Sequence, residues 1–148
     1  MQQASFFGKV MFSVLVLFST LAANAQIEGK WFNDEKSAHI EIYKGVGGNL
    51  AGRIVWLKEP NDEQGKPKTD PENPNEKLRS RARLGMVVLV NLAKTKTPSY
   101  WDGGTIYDPK SGKTYACNMT ALPDGTLKLR GFIGVSLLGK TQIWTKAN

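Results

Sequence analysis

The chain has 148 residues, a formal net charge of +7, one histidine and one cysteine. A single cysteine excludes an internal disulfide, and one residue of each kind excludes zinc held by several imidazoles or thiolates. The positive charge suits acidic partners such as lipid headgroups or polyanions, although lysines placed on turns for solubility account for it more simply.

Met1 to Lys9 is short and carries one positive charge, and Val10 to Phe18 is apolar. Ala23-Asn24-Ala25 then supplies small residues at the cleavage-determining positions. That order predicts a secretory signal peptide over residues 1–25, cleaved before Gln26. A membrane anchor needs about 20 apolar residues, and here the run ends at Ser19-Thr20. No cysteine stands at the cleavage site to carry a lipid. No later segment is apolar enough to span a bilayer as a helix. The expectation is one exported domain over 26–148, periplasmic or extracellular.

Gly29-Lys30-Trp31-Phe32 reads as a first strand. Ala38 to Tyr43 alternates, with Ala38, Ile40 and Ile42 on one face and His39 and Glu41 on the other. Gly45 to Asn49 is a glycine-rich turn, and Leu50 to Leu57 is a strand apolar on both faces apart from Arg53. Glu59 to Arg83 forms a long irregular segment with four prolines, of the kind that is functional or mobile. Leu84 to Leu92 is β-branched and apolar, and Lys94 to Pro98 interrupts it. From Ser99 onward, strands alternate with Ser111-Gly112 and Asp124-Gly125 turns, the strongest short-range hairpin signals. Their sum is an all-β, antiparallel up-and-down barrel of about eight strands.

The order Gly29-Lys30-Trp31, Gly52-Arg53-Ile54-Val55-Trp56, Asn73-Pro74, Gly103 to Pro109, Ser111 to Tyr115 and Leu129 to Gly134 resembles the bacterial family called domain of unknown function 2147. The resemblance spans nearly all of 26–148 and implies a lipocalin-like (calycin) barrel around an interior for a small apolar ligand. It also implies a barrel-closing contact between Trp31 and a basic residue of the last strand. The candidate is Lys146, where lipocalins use arginine, and a lysine lacks the planar guanidinium that stacks on an indole. The family brings no activity with it.

The residues offer little for catalysis. His39 lies on a strand's polar face, and Cys117, between Tyr115 and Met119 on one face, reads as a small buried hydrophobe. Glu41 and Asp102 are the acids that a hydrolase would need to set across a cleft. Asp62, Glu63, Asp70 and Glu72 crowd the long segment without EF-hand spacing, so no metal and no cofactor are expected. Ligand contacts are expected from Trp56, Tyr107, Tyr115 and Trp144, with Arg53 or Arg130 orienting an anionic head group. If extended, Lys77, Arg79, Arg81 and Arg83 share one face and offer an envelope protein or polyanion a basic edge. Nucleic acid is not expected, because Leu78, Ser80 and Ala82 stand where stacking aromatics would be needed. The leading expectation is a binder of a small amphipathic molecule. An interaction module using the 59–83 loop comes next, and a hydrolase last.

Overall fold

The computed structural model of the protein describes residues 26–134 and 139–148, so the expected signal peptide over 1–25 lies outside the described residues. The strands are β1 (Gly29–Phe32), β2 (Ala38–Lys44), β3 (Leu50–Leu57), β4 (Val87–Lys94), β5 (Tyr100–Asp108), β6 (Lys113–Ala121), β7 (Leu127–Phe132) and β8 (Lys140–Lys146). They follow one another in chain order around a closed, all-antiparallel barrel. Closure comes from β1 against β8, with Trp31 opposite Lys146 and Phe32 opposite Thr145. The expected up-and-down barrel is the observed one, and its Gly45–Asn49, Ser111-Gly112 and Asp124-Gly125 reversals fall between strands as the turn residues demand.

Two strand boundaries differ from the sequence reading. β4 starts at Val87 rather than Leu84, because Gly85 (φ +88°) and the bond from the Met86 amide to the Arg83 carbonyl still belong to a turn. Lys94 remains in β4 opposite Trp101. The reversal after it is closed by the Thr95 hydroxyl, which donates to the Tyr100 carbonyl at 3.0 Å. β4 also bulges: its register against β3 shifts between Leu50↔Leu92 and Gly52↔Leu89, and Asn91 takes φ +63°. A bulge adds a residue to one strand and re-aims its side chains. Leu89 and Leu92, three apart, therefore both point inward and are fully buried.

Up-and-down order places two sets of connections at opposite ends. The β2–β3, β4–β5 and β6–β7 turns lie at one end, with both strand termini, Gly29 and Lys146. This end is solid. Trp31, Ile42, Leu89, Leu92, Met119 and Leu127 fill it at 3% exposure or less. Each large apolar side chain buried there contributes roughly 1.5–3 kcal/mol. Glycines make the room: a Cβ on Gly104 would lie 2.7 Å from Leu92 Cγ, and one on Gly52 would lie 3.0 Å from Ile40 Cγ2.

Trp31 donates its indole N–H to the Ile27 carbonyl at 2.8 Å, and the Ala147 amide donates to the Lys30 carbonyl at 2.9 Å. Lys146 Nζ stands 4.5 Å from the Trp31 ring centroid, a cation–π contact across the seam. Gly29 explains how the ammonium gets there. Its φ is +128°, and a Cβ on it would lie 3.0 Å from Lys146 Nζ.

Candidate functional site

At the other end the barrel is hollow. A cavity of about 820 Å³ opens among the β1–β2, β3–β4 and β5–β6 connections and the beginning of β8. Its walls carry Ile40, Ile54, Val88, Ile106, Cys117, Leu129 and Trp144, and Tyr107 and Tyr115 stand nearer the rim. Period-2 alternation puts Tyr115 and Cys117 of β6, and Leu129 and Gly131 of β7, on the inner face. Small residues at Ala38, Cys117 and Gly131 leave space that large side chains take up at the solid end. The Trp144 indole donates to Gln142 Oε1 at 2.9 Å, which satisfies its N–H on the cavity wall.

The rim is charged. Asp34, Glu35, Glu59 and Asp108 line it together with Lys58, Lys68, Arg83, Lys110 and Lys140. Lys68 pairs with Glu59 at 3.4 Å, and Lys110 pairs with Glu35. Asp108 accepts from the Ser111 hydroxyl at 2.7 Å, and Asp34 accepts from the Ile143 amide at 2.9 Å.

The long β3–β4 connection, residues 58–86, is tied down over part of this rim. Its anchor is Asp70, fully buried. The carboxylate accepts from Tyr107 Oη at 2.7 Å, Asn73 Nδ2 at 2.8 Å and Arg81 Nη2 at 3.2 Å. Burial alone raises a carboxyl's pKa, but these donors together outweigh it and hold Asp70 below the usual carboxylate range. Tyr107 moves the opposite way, up to about 12, through burial and through donating to that anion. A second clamp is backbone on backbone: a Cβ on Gly112 (φ +68°) would fall 1.9 Å from the Glu72 carbonyl oxygen. Only glycine lets the β5–β6 turn meet the loop this closely.

The basic segment is folded rather than extended, which corrects the expectation of a four-cation face. Asn75 caps a 3-10 helix over Glu76–Leu78. Arg79 donates to the Asn73 carbonyl at 2.9 Å, Arg81 reaches Asp70, and Arg83 donates to the Thr69 carbonyl at 2.7 Å. Arg79 and Arg83 thereby satisfy backbone carbonyls that an irregular segment leaves unpaired. Lys77 stays exposed.

Of the residues expected around a ligand, Tyr107, Tyr115 and Trp144 line the cavity. Arg53, Trp56 and Arg130 do not. Arg53 lies on the outer surface, where Nη2 pairs with Glu41 at 2.7 Å. Trp56 is 39% exposed and stacks on the outside against His39, with ring centroids 4.4 Å apart. Arg130 also faces out and donates to Thr141 Oγ1 at 2.9 Å. Period-2 alternation puts Arg53 and Arg130 each on one face of its strand but does not fix which face turns inward. A register shift between His39 and Ile40 in the β2–β3 pairing further blurs the alternation near Trp56.

The catalytic candidates are scattered. Glu41 is outside with Arg53, and His39 is held edge-on to Phe32 at 4.2 Å. Burial, and then the nearby Lys30 charge, lower the pKa of His39. Cys117 faces the cavity, but burial, and then the Asp102 charge, push its thiol up to about 12, so it is protonated at neutral pH. Asp102 is exposed and accepts from the Gly103 amide at 2.8 Å. Asp62, Glu63, Asp70 and Glu72 do not converge, and no group of three or more His, Cys, Asp or Glu side chains able to hold a metal occurs among the described residues. Asp70, read from the sequence as a loop acid, is instead the loop's internal anchor. No local motif announces it, since its partners Tyr107 and Arg81 are 37 and 11 residues away.

A closed eight-stranded antiparallel barrel, solid at one end and hollow at the other, is a lipocalin-like protein. The chain belongs to the family described as "uncharacterized protein conserved in bacteria (DUF2147)", whose model matches residues 29–146. Among solved structures it is similar to protein HP1028 from the human pathogen Helicobacter pylori, which is described as belonging to the lipocalin family. The two share 27% identity over 84% of each chain, with a TM-score of 0.71. A search of curated proteins found no match. No helix among the described residues is long and apolar enough to cross a membrane.

Proposed function

We propose that this protein is an exported binder of a small amphipathic molecule, held inside the hollow half of the barrel. The supporting observation is the cavity itself, about 820 Å³ with aliphatic and aromatic walls and a charged rim. Ligand sites typically run from about 300 to 1,000 Å³ and combine apolar walls with a few placed polar groups. Export, to the periplasm or beyond the cell, rests on the signal-peptide order of residues 1–25. The loop over 58–86 serves this reading as a fixed part of the rim. Its arginines are engaged within the loop and with its neighbours, which argues against a free basic edge for a polyanion.

The test is native mass spectrometry of the protein purified from the envelope of its own source, followed by denaturing extraction. The expected result is a reproducible small apolar or amphipathic adduct that disappears in an Ile54→Trp variant, which fills the cavity. A bare mass in repeated preparations, together with no binding of added amphiphiles, would overturn the reading.

A further inference from the structure

The charged groups at the rim differ in what they still have to bind. Each of the four carboxylates is engaged: Glu35 by Lys110, Glu59 by Lys68, Asp108 by Ser111, and Asp34 by the Ile143 amide. The cations are not all matched. Arg53, Arg79 and Arg81 have carboxylate partners at 2.7, 3.5 and 3.2 Å. Arg83 has none among the described residues. Its Nε donates to the Thr69 carbonyl at 2.7 Å and its Nη2 to the Pro109 carbonyl at 3.3 Å.

Two neutral acceptors fix the guanidinium's position, and among the described residues no carboxylate pairs with it and Nη1 has no acceptor. Arg83 is half-buried and borders the cavity. Lys58 and Lys140 also border it, with no side-chain partner among the described residues. A partly desolvated guanidinium held this way favours an anionic oxygen acceptor, because opposite charges attract and its planar fork matches carboxylate and phosphate geometry.

We infer that the cavity is selective for an amphiphile with a compact anionic head, a carboxylate or phosphate monoester. Arg83 binds the head at the rim, and the tail runs along Ile54, Leu129 and Trp144. This inference rests on the amphiphile-binding reading and adds the head-group chemistry to it.

The experiment titrates the purified protein with dodecanoate, dodecyl phosphate and dodecanol, which share a tail, and follows binding by calorimetry. At least one anion is expected to bind tenfold or more tightly than dodecanol, and the larger preference identifies the head group. In Arg83→Gln that preference should fall to threefold or less. Because Arg83 also ties down the loop, the wild-type preference is measured again in high salt, where it should shrink if it is electrostatic.

Equal binding of all three by the wild type would overturn the head-group inference and leave amphiphile binding standing. Binding of none would overturn both. A preference that survives Arg83→Gln but disappears in a Lys58→Gln, Lys140→Gln double variant would overturn the role of Arg83.

Discussion

At the level of single residues, the contact that closes the barrel depends on an absent side chain as much as on those present. Lys146 reaches Trp31 by crossing Gly29, whose positive φ and missing Cβ leave the path open. An alanine at position 29 would strain the backbone and displace the ammonium. Gly29→Ala should therefore destabilise the protein by about 2 kcal/mol, read as a lower urea midpoint with an unchanged slope. Lys146→Met removes only the charge and should cost no more than about 1 kcal/mol. If Gly29→Ala proves neutral, the glycine is not what admits the lysine. Both Gly29 and Trp31 were legible in the sequence, whereas the reason for their spacing appears only once the end of β8 is seen lying across β1.

The 58–86 connection is the element whose character changed most between sequence and structure. Its four prolines and mixed charges describe an irregular segment correctly, but they carry no sign of the Asp70–Tyr107 bond that joins it to β5. Such long-range pairings are invisible to periodicity, because Asp70 lies in a segment with no repeating face. Asp70→Ala would strand the Tyr107 hydroxyl and the Asn73 amide and should cost roughly 3 kcal/mol. Asp70 is more acidic in the folded protein than its ordinary value of 3.8. Its contribution is therefore complete above that value and fades as pH falls through the lower folded value. The stability gap between wild type and variant should be constant from pH 7 to pH 5 and narrow only on further acidification. A gap that already closes near neutrality would show that another group controls the loop.

Taken whole, the barrel was legible because each hairpin announces itself locally and adjacent strands pair in chain order. The facing of β3 and β4 was not legible, because both are apolar on two sides and each carries a register shift. Those shifts decide that Leu89 and Leu92 fill one end while Arg53 stays outside. Leu92→Ala, at the filled end, should cost about 3 kcal/mol. Ile106→Ala, on the cavity wall, removes a side chain that already has empty space beside it, and should cost less than half as much. Paired denaturation curves check this. Equal losses would mean that the hollow is closed by packing in solution.

The same division separates two kinds of inheritance along the barrel axis. Changes near Met119 and Leu127 would be judged first by whether the chain folds at all. Changes near Ile54, Tyr115 and Leu129 would, on the proposed function, be judged by what the chain binds. On the binding function proposed above, a library of substitutions confined to the second group should yield mostly well-folded proteins that differ in what they bind, with the base of the barrel left as it is.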